Sequence, residues 1–274
     1  MRFAKGHGTE NDFVILPDPD GELDLDAATV AALCDRRAGL GADGVLRVVR
    51  TKALDEPLTG EAATAQRCEW FMDYRNADGS VAEMCGNGVR VFARYLQEAG
   101  LVGAAAFEVG TRAGARHVVL EPDGNITVDM GPVRILGPGS ARLADGPVHG
   151  TRISVGNPHL ACRVARPVAE VDLSAPPLLR AEEFPQGANV EVFREVASGV
   201  LEMRVYERGA AETRSCGTGI VAAAAAATPP GEDARWTVRV PGGECTVVLE
   251  SGAARLSGPA VIVAEGDVRL SALR

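Results

Sequence analysis

The stretch IVAAAAAA at residues 220–227, which Pro229 and Pro230 follow after one residue, most constrains the fold. Its composition predicts a helix that is apolar on every side and that ends before the prolines. The eight residues of this run are too few to cross a bilayer, which takes about 20. Such a helix must be buried, and because strands are predicted around it, we expect a sheet to enclose it.

A second helix is predicted over residues 87–97, where apolar residues recur at i, i+3, i+4 and i+7 and Gly100 can end the helix. Those apolar residues are Val89, Phe92, Ala93 and Leu96. Turn sequences such as EPDGN at 121–125 separate predicted strands as hairpins require, and short connections favour antiparallel pairing. The predicted strands are 12–16, 44–50, 67–74, 115–121, 124–130, 151–155, 160–166, 188–193, 200–206, 235–240, 243–250 and 260–264.

The two halves of the chain share landmarks in the same order. The sequence CGNG at 85–88 recurs as CGTG at 216–219, an offset of 131, whereas Asn11 matches Asn157 at an offset of 146. The polar segment 51–65 accounts for the difference if it is a loop insertion. This order indicates a duplicated unit. We therefore predict an α/β fold of the α+β type, with two pseudo-symmetric lobes that each wrap a mostly antiparallel sheet around a central helix.

Composition excludes several classes of protein. The 274 residues are 46% hydrophobic, which is typical of a globular protein with an ample core. A net charge of −9 argues against a nucleic-acid surface. The N-terminal sequence MRFAKGHGTENDF has no apolar run of the kind that a signal peptide needs. We expect a cytoplasmic protein with no membrane association, in which thiols stay reduced.

Two of the six cysteines, Cys85 and Cys216, each lie where a predicted helix begins. The unpaired N–H groups of a first helical turn lower the pKa of a thiol and can hold a carboxylate. Two such thiols can act as opposed base and acid at one carbon, which is what inversion of a stereocentre needs. Taken singly, each cysteine is better explained as a small core residue. The matched glycine contexts favour the functional interpretation.

The other cysteines and the histidines show no metal-ligand spacing, and we expect no metal site. Cys34, Cys68, Cys162 and Cys245 lie in periodic apolar stretches and are interpreted as packing residues. His7, His117 and His149 receive no assignment. The sequence GLGADG at 39–44 matches a dinucleotide-binding pattern, but a predicted helix precedes it and a strand follows, which is the reverse of the required context.

A resemblance to a known family sharpens this interpretation. The stretches KGHGTENDFVIL, GLGADGVL, YRNADGSVAEMCGNG, GNPH, GANVEVF and RVYERGAAETRSCGTG together resemble the diaminopimelate epimerases. The resemblance implies cofactor-independent conversion of LL- to meso-diaminopimelate by two cysteines, in the synthesis of lysine and peptidoglycan precursors. It also implies a homodimer whose subunits have an N-terminal lobe over 1–131, completed by a strand over about 265–274, and a C-terminal lobe over 132–264.

The resemblance also implies roles for individual residues. Cys85 and Cys216 become the base and acid, and His159 and Glu207 tune the pKa values of the cysteines. Residues expected to bind the substrate are Asn11, Asn76, Gly86, Asn87, Asn157, Asn189, Glu207, Arg208, Gly217 and Thr218. The segment KGHGTENDF departs from the commoner KMHGLGNDF, so that Glu10 lies beside the expected Asn11. No role is implied for the 51–65 segment.

Four alternatives stay open at this point. A pyridoxal-phosphate racemase needs a Schiff-base lysine, and the chain has only Lys5 and Lys52. A proline-racemase-like enzyme shares the two-thiol logic but has CGHG at its first cysteine and lacks the YERG and GNDF contexts. The two thiols could instead form a reversible redox pair. A binding protein would hold diaminopimelate without exchanging its α-protons.

Overall fold

The structure is a computed structural model that describes residues 1–273. These residues form three α-helices: α1 (Ala27–Cys34), α2 (Gly86–Glu98) and α3 (Gly217–Ala227). The strands of the first half are β1 (Arg2–Gly8), β2 (Asn11–Pro17), β3 (Gly44–Arg50), β4 (Trp70–Asn76), β5 (Ala106–Thr111), β6 (Gly114–Leu120) and β7 (Ile126–Pro132). The remaining strands are β8 (Arg134–Leu143), β9 (Gly146–Ser154), β10 (Pro158–Arg163), β11 (Leu178–Leu179), β12 (Asn189–Ala197), β13 (Val200–Glu207), β14 (Ala211–Thr213), β15 (Ala234–Val240), β16 (Gly243–Glu250), β17 (Ala253–Gly258) and β18 (Val261–Asp267).

The chain divides into two compact units. The first contains Met1–Val128 and the residues from Pro259 onward, and the second contains Asp129–Gly258. The sequence placed the second boundary at residue 264, but β18 pairs with β1 from Asp267 to Val261 and therefore belongs to the first unit. Residue 274, the last of the expected C-terminal strand, lies outside the described residues.

In the first unit the strands pair in the order β18, β1, β2, β3, β4, β5, β6, β7. The helix α2 contacts β1, β2, β3, β4 and β18. Its apolar residues Val89, Phe92, Ala93 and Leu96 are fully buried, as their spacing predicted. Gly100 ends the helix with a positive φ of 68° and donates to Gln97 O at 3.1 Å, which is a glycine C-terminal cap.

In the second unit β9, β10, β12, β13, β15, β16 and β17 pair in that order. The helix α3 packs against all seven of these strands. Its residues from Gly217 to Ala225 are buried, so the helix is enclosed on every side as its composition required. Thr228 ends the helix and the two prolines follow it.

The two units use the same succession of strand pairings. From β1 to β7 the pairings are antiparallel, parallel, antiparallel, parallel, antiparallel and antiparallel. The strands from β9 to β17 repeat this succession. Sheet therefore dominates and is mostly antiparallel, which confirms the predicted fold class. The parallel pairs were not anticipated, because the predicted strand list omitted β5 and could not show which strands a crossover joins.

Some elements differ from the expectation. The 51–65 segment forms two 3₁₀-helices, Thr51–Ala53 and Gly60–Arg67, rather than an irregular loop. The strands β1, β5, β8 and β17 were missed, because their glycines and charged residues hide the alternation of a strand. The strands β11 and β14 were also missed, because they are only two and three residues long. Within residues 1–273 no helix is long and apolar enough to cross a membrane.

Candidate active site: two cysteine half-sites

Cys85 is the N-cap residue of α2. Its extended backbone, with φ of −137° and ψ of 119°, turns the side chain back over the first helical turn, and Sγ accepts a hydrogen bond from Gly88 N–H at 3.3 Å. A Cβ on Gly88 would lie 3.3 Å from both Cys85 Cβ and Leu46 Cδ2, so a larger residue would crowd the N-cap. The first intrahelical bond joins Val89 N–H to Cys85 O at 2.9 Å. The N–H groups of Gly86 and Asn87 precede that bond and point out of the helix start.

Asn11 presents its amide oxygen to Cys85. Its Oδ1 lies 3.7 Å from Cys85 Sγ, which donates, and accepts from Asn87 Nδ2 at 3.1 Å. Its Nδ2 donates to Asp43 Oδ2 at 2.7 Å, which fixes the orientation of the amide. We call Cys85, Asn11, Asn87 and Asp43 the Cys85 half-site. The sequence expected the first three of these residues in the site, and the structure brings them together.

A network of charged side chains holds the Asp43 carboxylate in place. Arg36 donates to Asp43 Oδ1 at 2.7 Å and to both oxygens of Asp12 at 2.7 and 3.2 Å. Lys5 donates to the same Asp12 carboxylate at 2.5 Å and also to the carbonyl of Gly41. Burial would raise the pKa of Asp12, but the hydrogen bonds from Arg36 and Lys5 outweigh it and lower that pKa from 3.8 to about 2. The GLGADG segment thus supplies a carboxylate that orients Asn11.

A buried cation lies under the first turn of α2. Arg90 is 0% exposed, and its guanidinium donates to Asn87 Oδ1 at 3.0 Å and to Thr9 Oγ1 at 3.3 Å. These bonds orient Asn87 so that its Nδ2 faces Asn11. Asn76, which was also expected in the site, ends β4 and donates from Nδ2 to Ser80 Oγ at 2.9 Å. Among the described residues it joins a turn rather than the Cys85 half-site.

Cys216 is the N-cap residue of α3, with φ of −129° and ψ of 115°. The second glycine of its CGTG motif is required by a neighbour, because a Cβ on Gly219 would lie 2.7 Å from Glu191 Oε1. The first intrahelical bond joins Ile220 N–H to Cys216 O at 2.9 Å. The N–H groups of Gly217 and Thr218 precede it and point out of the helix start.

The sulfur of Cys216 lies near hydrogen-bond donors and also near negatively charged carboxylates, which have opposite effects on its pKa. Asn189 Nδ2 donates to Sγ at 3.8 Å, and Thr218 Oγ1 lies 3.5 Å away. Burial raises the pKa of Cys216 well above 9.0, and the charges of Glu207 and Glu191 raise it further. Thr218 and the Gly219 N–H act in the opposite direction, although Cys216 forms no N-cap hydrogen bond. At neutral pH this cysteine is therefore a thiol.

His159 reaches Cys216 through a chain of hydrogen bonds. Its Nε2 lies 2.9 Å from Asn157 Oδ1, and Asn157 Nδ2 donates to Thr218 Oγ1 at 3.3 Å. Its Nδ1 lies 2.7 Å from Glu191 Oε1. Parallel pairing of β10 with β12 places His159 opposite Asn189, two residues before Glu191. Cys216, Asn189, Thr218, Asn157, His159 and Glu191 form what we call the Cys216 half-site.

Glu207 and Arg208 lie at the end of β13. Thr213 Oγ1 donates to the Glu207 carboxylate. Arg208 N–H donates to Asn189 Oδ1 at 2.9 Å, which turns the Asn189 amino group toward Cys216. The Arg208 guanidinium donates from Nη1 to Gln186 O at 2.8 Å, in an exposed position. Every residue of the second half expected in the site thus lies in or beside the Cys216 half-site.

Three residues that build the half-sites were missed from the sequence. Glu191 is an acidic residue in the otherwise apolar run VEVF, and that contrast was the available signal. Asp43 lies in a motif set aside as a false nucleotide fingerprint. Arg90 received no assignment from the sequence, although it follows the CGNG motif by two residues.

Each half-site has the same chemical capability. A sulfur sits at a helix start, with N–H groups beside it that can hold an anion and an asparagine that contacts the sulfur. The sulfur in this setting can release a proton as a thiol and accept one as a thiolate. Neutral amide groups nearby can orient a zwitterion without a large charge penalty.

Comparison with known proteins agrees with this chemistry. The family model for diaminopimelate epimerase matches residues 3–136 and 151–270. The diaminopimelate epimerase of Acidothermus cellulolyticus is 51% identical over 294 residues, which cover 99% of this chain and 97% of the relative. That of Rhodococcus jostii is 52% identical over 284 residues, covering 98% of this chain and 97% of the relative.

More distant solved structures share the fold. A Bacillus anthracis phenazine biosynthesis protein of the PhzF family superposes with a TM-score of 0.67 at 18% identity, over 98% of this chain and 99% of the other. At that identity the likeness concerns the backbone alone, so the chemistry must be argued from the side chains of the two half-sites.

Proposed function

The chain belongs to the diaminopimelate epimerase family and is an isomerase, and we propose that Cys85 and Cys216 carry out the two proton transfers of its reaction. The observation that carries this proposal is the presence of a thiol at the N-cap of α2 and of a second at the N-cap of α3. In the described residues the remaining α-helix, α1, has Asp26 at its N-cap, so Cys85 and Cys216 are the cysteines that begin α-helices.

The proton transfers balance without a cofactor. A thiolate takes the α-proton of LL-diaminopimelate, and the C–H electron pair stays on the carbon, partly delocalised into the adjacent carboxylate. The other thiol gives its S–H proton to the opposite face of that carbon, which yields the meso isomer and a new thiolate. Because Cys216 is protonated at neutral pH, we assign it as the proton donor in this direction. Cys85 is then the base: it loses the S–H that contacts Asn11, and its Sγ keeps the hydrogen bond from Gly88 N–H, which stabilises a thiolate.

The helix starts stabilise the charge that develops on the carboxylate. The N–H groups of Gly86 and Asn87 on α2, and of Gly217 and Thr218 on α3, are the donors that we assign to it. They are fixed by the helices before the reaction begins, so no reorganisation is needed. Removal of one preorganised donor of this kind typically costs about 3–4 kcal/mol of transition-state stabilisation.

The remaining polar residues recognise the rest of the substrate. We assign Asn11, Asn76, Asn157 and Asn189 to the amino and carboxyl groups of diaminopimelate. Arg208 offers a bidentate guanidinium to the distal carboxylate, and Glu207 a carboxylate to the distal ammonium group. His159 and Glu207 tune the cysteines; in support, the charge of Glu207 raises the pKa of Cys216.

The resemblance extends the proposal to the setting of the enzyme. We assign it to the synthesis of lysine and peptidoglycan precursors in the cytoplasm, as a homodimer. Size-exclusion chromatography with light scattering tests the dimer independently of activity.

The reaction is tested by incubation with LL-diaminopimelate in D₂O under reductant, without added cofactor. Chiral chromatography follows the meso isomer and mass spectrometry follows α-deuterium, for the wild type and for Cys85→Ala and Cys216→Ala. We expect deuterated meso product from the wild type and none from either variant. Cys162→Ala, which removes a buried thiol outside both half-sites, is the matched control and should stay active.

The outcomes separate the alternatives. A folded, reduced wild-type protein that leaves the α-protons unexchanged would rule out the epimerase and favour a binding protein. If activity survives the loss of either cysteine, the two-thiol mechanism is wrong. If the wild type is active only under reductant, oxidation of the pair inactivates the enzyme rather than serving as its function.

A further inference from the structure

Glu191 is a carboxylate in the core of the second unit. Its side chain is 0% exposed, and its neighbours on β12, Val190 and Val192, are also fully buried. Oε1 contacts His159, and Oε2 makes no hydrogen bond within residues 1–273. A buried carboxylate with one oxygen unsatisfied is costly to fold. Packing alone would favour an apolar residue at this position, so the carboxylate calls for another explanation.

The hydrogen bonds that leave Glu191 have a defined direction. Asn157 donates from Nδ2 to Thr218, so its Oδ1 is the group that faces His159 Nε2. An amide oxygen only accepts, and Nε2 must therefore carry a proton. The short contact between His159 Nδ1 and Glu191 Oε1 holds one further proton, shared between imidazole and carboxylate. Thr218 Oγ1, which accepts from Asn157, keeps its own hydrogen for Cys216 Sγ at 3.5 Å.

We propose that Glu191 is a positioning residue for the epimerisation, which through His159 and Asn157 holds the Thr218 hydroxyl as a hydrogen-bond donor to Cys216 Sγ. The proposal rests on the proposed function and adds to it a residue that touches neither substrate nor sulfur. The donated hydrogen bond stabilises the thiolate that Cys216 becomes once it has given its proton to the substrate carbon, and it offsets the charge of Glu191 itself, which raises the pKa of Cys216. It therefore acts most strongly late in the proton transfer, when the charge on sulfur is largest.

A second contact links Glu191 to the same helix turn. Its Oε1 lies 2.7 Å from the point where a Cβ on Gly219 would stand, and Gly219 N–H is itself a group that favours the Cys216 thiolate. The carboxylate thus lies directly against the first turn of α3. A side chain that left this space empty would loosen both the Thr218 hydroxyl and the turn that carries it.

Two substitutions of similar volume separate positioning from packing. Glu191→Gln keeps a hydrogen-bonding group against His159 Nδ1, because its amide can donate to a neutral imidazole that still carries its Nε2 proton. Glu191→Met fills the same space without any hydrogen bond. We expect Glu191→Met to lower kcat by about tenfold or more, with KM little changed, and Glu191→Gln to restore most of kcat. Glu195→Met, on the exposed part of the same strand, is the matched control.

A double-mutant cycle completes the test. Thr218→Val removes the hydroxyl at the end of this series of hydrogen bonds. Because Glu191→Met and Thr218→Val interrupt the same series, the double variant should lose no more kcat than the more impaired single variant. The proposal is overturned if Glu191→Met matches the wild type, if Glu191→Gln is as impaired as Glu191→Met, or if the two costs multiply. An inactive wild type would instead refute the proposed function, so the two failures are distinguishable. Should Glu191→Met not fold, the cycle is run with His159→Leu in its place, which breaks the same hydrogen bonds, with the same expectation.

Discussion

Cys85 begins α2 and Cys216 begins α3 with nearly the same backbone angles, −137° and 119° against −129° and 115°. Each is followed by Gly-x-Gly, and in each unit an asparagine side chain contacts the sulfur. The contacts differ in direction. Asn11 turns its oxygen toward Cys85, whereas Asn189 turns its amino group toward Cys216. Equivalent places in a repeated fold are therefore chemically different, and the difference is set by the residues that hold each amide.

The two anchoring groups explain this reversal. The carboxylate of Asp43 accepts a hydrogen bond from the amino group of Asn11, so the amide oxygen of Asn11 faces the sulfur of Cys85. The backbone N–H of Arg208 donates a hydrogen bond to the amide oxygen of Asn189, so the amino group of Asn189 faces the sulfur of Cys216. An oxygen acceptor beside a sulfur suits the thiol form, and an N–H donor suits the thiolate. Burial and nearby carboxylates oppose that preference at Cys216, whose pKa is raised above 9.0.

The largest predicted difference between the half-sites is in alkylation rate. In the free enzyme at pH 8, iodoacetamide should modify Cys85, which is partly exposed, about 100-fold faster than Cys216, which is 7% exposed and remains a thiol. Peptide mass spectrometry resolves the two sites. The Cys216 rate should rise about tenfold per pH unit through pH 9, because the thiolate fraction rises with pH below a raised pKa.

The buried cysteines outside the half-sites serve as internal references. Burial raises the pKa of Cys34 and Cys68 to about 11 and that of Cys162 to about 12, so these residues should also react much more slowly than Cys85. Equal alkylation rates at Cys85 and Cys216 would contradict the predicted difference between the two half-sites. In that case the two sulfurs would be equivalent in solution despite their different contacts.

A second prediction concerns the stability that supports the Cys85 half-site. Hydrogen bonds from Arg36 and Lys5 hold the pKa of Asp12 at about 2 against the cost of burial, compared with 3.8 for the free group. A lowered pKa contributes stability that is present above pH 4 and is lost as the pH falls toward 2. We expect Asp12→Asn to lower the free energy of unfolding at pH 7 by about 2 kcal/mol, since one pKa unit corresponds to about 1.4 kcal/mol.

Urea unfolding at several pH values measures this effect. The gap between the wild type and Asp12→Asn should close between pH 4 and pH 2 and stay constant from pH 5 to pH 8. Glu202→Gln, which removes a partly exposed ion pair with Arg194 in the second unit, should change stability by less than about 1 kcal/mol. A gap for Asp12→Asn that does not depend on pH would show that the loss arises from packing instead.

A third prediction tests the negative charge around Cys216. Glu207→Gln keeps an oxygen for the Thr213 hydroxyl but removes a charge that raises the pKa of Cys216. That pKa should fall, and the alkylation rate of Cys216 at pH 8 should rise by about tenfold at most. Glu212→Gln is the matched control, because Glu212 pairs with Arg204 and does not act on the thiol. An unchanged Cys216 rate in Glu207→Gln would leave burial and the charge of Glu191 as the causes of the raised pKa.

Much of the fold was predictable because its helices have strong local signals. The apolar run of α3 and the helical spacing in α2 each required burial, and the repeated order of landmarks anticipated the shared succession of strand pairings. The parallel pairs β2–β3 and β10–β12 were not predictable, since they join strands separated by long crossovers. Strand pairing at long range depends on packing that no local sequence pattern encodes.

The candidate site was predictable in its sulfurs but not in the groups that orient them. The paired motifs indicated Cys85 and Cys216, and the asparagines followed from the resemblance. Asp43 and Glu191 were missed, because each acts across strands on a residue 32 positions away. For the same reason the two cysteine contexts looked nearly equivalent in the sequence. The orientation of an amide is fixed only by its partners in the folded chain.

The smallest predicted effect on stability concerns the turns that precede Asn11 and Asn157. In the second unit Gly156, with φ of 91°, precedes Asn157, whereas in the first unit Thr9 and Glu10 adopt φ of 50° and 61° before Asn11. A left-handed backbone costs a non-glycine residue about 1–2 kcal/mol, and glycine would relieve that strain. However, glycine also gives the unfolded chain more conformational freedom, which reduces the gain in stability by about 0.5–1 kcal/mol. Glu10→Gly should therefore raise the free energy of unfolding by less than about 1 kcal/mol, measured with urea. Gly156→Ala should lower it, and a loss of stability in Glu10→Gly would show that contacts of the Glu10 side chain outweigh the strain in its backbone.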